Sequence, residues 1–260
     1  MKNFIKNLKI KRRTIASLAA LHFYGNPSAK LKIVGVTGTN GKTTTATLLY
    51  KIATALGYKA GLIGTVENII VDEHREALRT TPSPINLNRL LTEMLDKGCE
   101  YVFMEVSSHA LDQKRVAGIH FVGGIFTNLT QDHLDYHKSM QNYFLAKKKF
   151  FQMLPENAFA LSNGDDEYGI SMLEDITARK LLYGLDTDVD FKGEIKKNDF
   201  SGLELKFNGV TLNSKLLGRF NAYNLLAVWS TCKLLGFDMT KVNNILKDIQ
   251  PPKGRFDYFI

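Results

Sequence analysis

Along most of the chain, short apolar runs alternate with stretches of helical spacing. That alternation predicts a mostly parallel sheet covered by helices. Leu31, Ile33, Val34 and Val36 mark a first buried strand, and residues 45–56 (TATLLYKIATAL) repeat apolar side chains at helical spacing. Gly57 offers a left-handed cap, residues 58–63 a second strand, and residues 69–71 a short partner close by. A helix over 85–95 follows the Pro82-Ser83-Pro84 turn. Residues 101–104 and 122–126 read as buried strands, each running into polar residues. A long helix over 139–153 and strands over 158–161 and 181–183 come next. From 191 to 214 the pattern changes to alternation, with turn signals at Asn198-Asp199, Ser201-Gly202 and Asn208-Gly209. That change predicts an antiparallel hairpin or meander on the sheet's edge. Helices over 221–235 and 240–249 close the pattern, and Pro251-Pro252-Lys253-Gly254 reads as a linker.

Between the first strand and the first helix lies a glycine-rich turn, Gly38-Thr39-Asn40-Gly41-Lys42-Thr43-Thr44. Strand, glycine loop and helix together make a phosphate cradle. Backbone N–H groups and the positive end of the helix dipole face an anion, and a lysine reaches its terminal phosphates. The strict pattern G-x-x-x-x-G-K-[ST] is not met, because Val36 stands where its first glycine belongs. The bland alternative is an ordinary strand-to-helix turn. With the cradle in place, the predicted fold class is α/β, a P-loop-type, mostly parallel sheet flanked by helices, with a small antiparallel hairpin or meander near residues 191–214.

Composition narrows the function classes only a little. A chain of 260 residues with 44% hydrophobic and 23% charged side chains is an ordinary globular protein with room for a sizeable core. Its net charge of +8 is partly local, in Lys2, Lys6, Lys9, Lys11, Arg12 and Arg13, then Lys147, Lys148 and Lys149. A basic balance suits nucleic acid or a polyanionic small substrate. No interleaved aromatic and basic pattern supports the former, so no nucleic-acid partner is expected. The N-terminal charges read as a solvated, partly frayed segment. Cys99 and Cys232 are too few and too far apart for a disulfide framework or a zinc site. No apolar run reaches membrane-span length, so the expectation is a cytoplasmic monomer without a membrane partner.

Polar chemistry concentrates where the strands end, as expected when ligands sit outside the carboxyl ends of parallel strands. The strand over 101–104 runs into Glu105-Val106-Ser107-Ser108-His109. A carboxylate there, across from Thr43, can hold magnesium on a triphosphate. The strand over 122–126 runs into Thr127-Asn128 and then Asp132, His133, Asp135 and His137. Two histidines and two aspartates within six residues fit a metal or catalytic role after a buried strand; a solvated polar loop is the alternative.

Three segments also carry a resemblance. GTNGKTT at 38–44, MEVSSHAL at 104–111 and TNLTQDHLDYH at 127–137 are similar, in order and spacing, to the Mur ligase family. Within it they resemble the ligases that add the third residue of the peptidoglycan peptide. GRFNAYN at 218–224 resembles the family's adenine-side segment, and the likeness runs from about Phe23 to Arg255.

The resemblance implies ATP and Mg2+, with Gly38, Thr39, Asn40, Gly41, Lys42, Thr43 and Thr44 on the phosphates and Asn128 and Asn221 near the base. It implies catalytic roles for Lys42, Glu105, His133 and Lys147, and metal ligation by Thr43, Glu105, His133 and a carbamylated Lys147. Thr80, Thr81, Ser107, Gln113 and Arg115 would contact the UDP-linked peptide. Read locally, Lys147 is one charge of a Lys-Lys-Lys run on a solvated helix face, Arg115 a surface arginine, and Thr80-Thr81 a capping turn before Pro82. The implied reaction joins UDP-N-acetylmuramoyl-L-Ala-D-Glu to an amino acid, meso-diaminopimelate ahead of lysine, through an acyl phosphate. The domain expectation is a residual segment of a first domain over 1–30, a central ATP-binding domain over 31–250, and a linker over 251–260 toward a third domain. On that division the 260 residues alone bind nucleotide and UDP-linked substrate without completing ligation. The competing readings are a nucleotide-binding regulatory module and a folylpolyglutamate synthetase-like ligase.

Overall fold

A computed structural model describes residues 2–250 of the chain; the linker expected over 251–260 lies outside them. The elements follow in order. Helix α1 (Lys2–Phe23) leads through a short 3-10 turn (Pro27–Lys30) into strand β1 (Lys32–Thr37). After it come α2 (Lys42–Ala55), β2 (Ala60–Ile63), β3 (Glu67–Ile70), β4 (Glu73–Glu76), α3 (Pro84–Asp96) and β5 (Tyr101–Glu105). Then α4 (Ser108–Asp112), β6 (Gly123–Phe126), α5 (Leu134–His137), α6 (Met140–Gln152), β7 (Phe159–Asn163), α7 (Gly169–Met172) and β8 (Arg179–Gly184). The last are β9 (Phe191–Asp199), β10 (Gly202–Phe207), β11 (Val210–Ser214), α8 (Arg219–Leu234) and α9 (Met239–Asp248).

The strands form one sheet in the order β11-β10-β9-β8-β7-β6-β1-β5-β2-β3-β4. From β2 to β9 across the middle every pairing is parallel, while β3–β4 and β10–β11 extend the two edges antiparallel. The chain leaves β1 toward β2 on one side and returns to β6 on the other, so β1 and β6 flank a topological switch point. That is where a crevice opens at the carboxyl end of such a sheet. Alternation along β1 divides the core. Val34 and Val36 face a layer containing Leu48, Leu49 and Leu225, and Ile33 faces a layer containing Leu91, Phe121 and Phe150. Gly35 lets the second layer close: a Cβ there would stand 2.5 Å from the Phe150 ring.

The α/β class and the edge meander are as read from the pattern, and most elements fall within a few residues of expectation. The Asn208-Gly209 turn has φ of 45° and 89°, as a tight hairpin between Phe207 and Val210 requires. Asn198-Asp199 instead ends strand β9, and the turn falls on Phe200-Ser201. The short helices α4, α5 and α7 were not read from the pattern, and β4 and α1 also differ from it. Strand β4, Glu-His-Arg-Glu, has no apolar signature; it forms an edge held by ion pairs of Glu73 with Arg75 and Lys97. Residues 2–23 are helical where a partly frayed segment was expected. The buried Ser17 hydroxyl donates to Lys114 O at 2.6 Å, anchoring that helix to the domain.

Candidate active site

The loop after β1 is shaped by its glycines and by the strand beside it. Gly38 has φ +148°, and a Cβ on it would fall 1.8 Å from Thr127 Oγ1. Gly41 has φ +85°, with Asn224 Oδ1 2.5 Å from where its Cβ would be. Neither position admits a side chain. The end of β6 then ties the loop down. Thr39 N donates to Asn128 O at 2.8 Å, Asn40 N to Asn128 Oδ1 at 2.9 Å, and Thr127 Oγ1 to Asn40 O at 2.6 Å. Because Gly41 takes the left-handed cap position, α2 starts at Lys42, three residues before the apolar pattern begins. Its first-turn N–H groups thus open directly onto the loop. Lys42 Nζ donates to Gly38 O at 2.9 Å and Thr39 O at 2.7 Å.

The loop lines one side of a cavity of about 790 Å³. Gly38 to Thr44, Glu105, Ser107, Thr80, His133, Lys147, Asn128 and Asn221 all border it. Of the residues singled out from sequence, Thr81, Gln113 and Arg115 stand just behind that wall. Thr81 is fully buried; its hydroxyl donates to Glu105 O at 2.8 Å and lies 3.3 Å from Ser107 Oγ. Arg115 donates to Thr81 O at 2.8 Å and, through two nitrogens, to Gln113 Oε1 at 3.0 and 2.6 Å. It is therefore a half-buried fork, and burial pushes its pKa down from the ordinary value. The capping alternative for Thr80-Thr81 fails, since Ser83 caps α3 and Thr81 is turned toward β5.

Glu105 is 1% exposed at the end of β5. Its Oε1 accepts from Thr65 N at 2.7 Å and its Oε2 from Thr65 Oγ1 at 3.0 Å. Lys147 is equally buried, on the inner face of α6. This overturns the local picture of a solvated lysine run: only Lys149 of the three is substantially open. Lys147 Nζ donates to Gly38 O at 2.7 Å and lies 4.5 Å from the centre of the Tyr143 ring. Burial first, and the Lys42 charge second, hold its amine well below the usual lysine range.

His133 occupies a left-handed position before α5, and its side chain is 48% exposed. Its ring meets His109 edge-on at 4.9 Å, and His109 in turn contacts His137 at 5.6 Å. His137 is buried, with Nε2 3.0 Å from Ser108 Oγ. Burial, then the neighbouring His109, lowers its pKa to about 4. Among the described residues, no group of three or more histidine, cysteine, aspartate or glutamate side chains stands where it alone can hold a metal ion. A magnesium ion at the loop would depend on mixed oxygen donors. The Thr43 hydroxyl, the Glu105 carboxylate and phosphate oxygens are of the hard type it takes.

The far wall holds residues that sequence reasoning passed over. Asp165, beyond β7, accepts from Leu185 N, Asp186 N, Thr187 N and the Tyr223 hydroxyl at 2.6–2.9 Å. Burial alone would raise its pKa, but the Thr187 hydroxyl and those backbone donors outweigh it and hold the carboxyl low. Asp166 holds Leu129 N at 3.0 Å, fixing the loop after β6. Beside them, Asn224, from the same GRFNAYN segment as the Asn221 already singled out, donates to Asn221 Oδ1 at 3.2 Å, and both are buried in the first turns of α8. The signal was present: Asn163-Gly164-Asp165-Asp166 follows a buried strand just as Glu105 and Asn128 do. Thr65, just past the carboxyl end of β2, carries the same positional signal.

Residues 36–232 match the family described as the Mur ligase middle domain. The chain is 54% identical over 239 residues to a UDP-N-acetylmuramoyl-L-alanyl-D-glutamate–2,6-diaminopimelate ligase of Bacteroides fragilis, covering 92% of this chain and 49% of that protein. A ligase of the same name from Clostridium acetobutylicum is 41% identical over 248 residues, covering 94% and 51%. The chain thus spans about half the length of the curated relatives it matches. Among solved structures, one of a ligase with this name superposes with a TM-score of 0.79 at 28% identity, over 86% of this chain and 47% of that one. MurF from Acinetobacter baumannii, at 18% identity and a TM-score of 0.76 over 94% and 52%, shares the fold.

Proposed function

This chain belongs to the Mur ligase family, and we propose that it is the nucleotide- and acceptor-binding part of an ATP-dependent ligase of peptidoglycan precursors. The carrying observation is that one cavity brings together the phosphate-type loop, Glu105, the buried Lys147 and the Thr80–Ser107 rim. Residues 31–250 are its central domain. The acceptor is UDP-N-acetylmuramoyl-L-Ala-D-Glu and the incoming amine that of meso-diaminopimelate, as the names of the relatives at 54% and 41% identity suggest.

A carboxylate is a poor acylating agent, so the γ-phosphate of ATP is first transferred to it. The acyl phosphate that results gives the amine a good leaving group to displace. The loop amides and Lys42, redirected from Gly38 O and Thr39 O, neutralise charge on the transferring phosphoryl group. Thr43, Glu105, His133 and Lys147 as its carbamate would hold Mg2+, which supplies charge neutralisation to the phosphates when bound. Arg115 and Gln113 brace Thr81, and with Thr80 and Ser107 they present the acceptor's peptide end to the loop. Asn128 and Asn221 border the nucleotide side of the cavity.

Calorimetric titration of Mg2+ with ATP into wild type and Lys42→Ala tests the nucleotide site, and equal affinities would sink it. Phosphate release that depends on the UDP-muramoyl dipeptide, and not on a folate, is the expected acceptor specificity. The opposite preference would replace this reading with a folate-ligase one.

A further inference from the structure

We infer that Thr65 is a positioning residue that holds the Glu105 carboxylate in its metal-binding orientation and links it to the acceptor wall at Thr80. This rests on the reading of Glu105 as a metal ligand given above.

The case begins with where the sheet ends. Strands β2 and β5 pair in parallel, with Ile63 beside Met104, so the residues that follow them emerge side by side. Gly64 leaves room for the carboxylate: a Cβ there would stand 2.9 Å from Glu105 Oε1. Thr65 then engages both carboxylate oxygens, Oε1 through its backbone N–H at 2.7 Å and Oε2 through its hydroxyl at 3.0 Å. A two-point grip fixes rotation about the terminal bond of Glu105, which a single hydrogen bond would leave free. The remaining lone pairs of each oxygen stay available to a cation, as they do when a ligating carboxylate is oriented by outer hydrogen bonds. The same hydroxyl lies 3.1 Å from Thr80 Oγ1, so the metal ligand and the acceptor wall share one small group. Thr65 itself borders the cavity. A purely structural threonine in a turn needs none of these contacts, because the turn is already closed by Gly64 N donating to Glu67 O at 3.2 Å.

Valine keeps the branched shape and the backbone donor while removing only the hydroxyl, so Thr65→Val isolates one half of the grip. The measurement is the ratio of ADP dissociation constants without and with Mg2+, by calorimetry on the full chain, for wild type, Thr65→Val, Thr65→Ala, Thr65→Ser and Glu105→Gln. Melting temperatures in EDTA report folding independently. The ratio should fall about tenfold or more in both Thr65→Val and Thr65→Ala, and Thr65→Ser should restore it. A fall in Glu105→Gln with none in Thr65→Val and Thr65→Ala would overturn the positioning role alone. No change in Glu105→Gln would overturn the metal-ligand reading and this inference with it. Loss in Thr65→Ser equal to that in Thr65→Val would also overturn it, because the hydroxyl would then not be what matters.

Discussion

Gly38→Ala is the sharpest single test of the phosphate cradle. A Cβ at Gly38 would sit 1.8 Å from Thr127 Oγ1 and 3.1 Å from Asn128 N, on a backbone with φ +148°. The Thr127 hydroxyl must leave, and with it goes its 2.6 Å hydrogen bond to Asn40 O. Strain from holding alanine in that backbone region is of order 1–3 kcal/mol, and the lost hydrogen bond adds about 1 kcal/mol. The mutant loop will relax rather than carry that cost, and a nucleotide must then drive it back into shape. Affinity should therefore fall by roughly 30- to 1,000-fold, the equivalent of about 2–4 kcal/mol. Gly57→Ala supplies the control. Its φ is +94°, but nothing lies within 4 Å of the added Cβ and it caps the far end of α2. It should cost about 1–2 kcal/mol of stability by denaturant titration and leave ADP affinity unchanged. The reasoning fails if Gly38→Ala binds ADP as wild type does, or if both variants lose affinity in proportion to their loss of stability.

Two further outcomes follow from the cavity walls. Burial, then the charge of Lys42, lowers the Lys147 pKa below its ordinary 10.5, so between the lowered value and 10.5 the unfolded chain binds more protons than the folded one. Stability in carbonate-free buffer should then rise with pH across that window, and Lys147→Met should be more stable at neutral pH with a flatter slope; an unchanged urea-denaturation slope would refute this. Arg115→Lys removes the fork between Thr81 O and Gln113 Oε1, and titration of the UDP-muramoyl dipeptide should show about tenfold weaker binding, whereas wild-type affinity would show the fork to be dispensable.

Strands carried the legible part of the fold, because parallel central strands are apolar on both faces and stand out as runs. Strand β4 was invisible for the opposite reason: an edge strand needs pairing and charge, and its Glu-His-Arg-Glu looks like a loop. The helix over 2–23 was hidden because its anchor is a serine hydroxyl on a distant carbonyl, which no periodicity displays. The candidate site divides along the same line. Gly38, Lys42, Glu105 and His133 lie in contiguous motifs at strand ends and could be picked out locally. Lys147 could not, since its burial depends on α6 packing against the loop after β1, 109 residues away. Thr65 and Asp165 also stand just past strand ends, but what they do rests on bonds to other site residues, and the folded arrangement is what reveals those partners.

The parallel order of the sheet also bears on how the chain reaches its native state. Strand β1 pairs with β5, Lys32 beside Tyr101, and with β6, Val34 beside Gly123, and neither neighbour is adjacent in sequence. The loop after β1 is braced by Thr127 and Asn128, so it has no fixed shape until the 88-residue separation between Asn40 and Asn128 has been closed. Contacts this remote are slow to form, because the entropy of closing the loop is lost before any pairing energy returns. The β9–β11 meander, closed by two-residue turns, has no such delay. On the proposed function, nucleotide affinity should accordingly be acquired late in folding. Hairpin structure can be present while the ligand site is still absent, and bound nucleotide stabilises only chains that have already solved the long-range part of the topology.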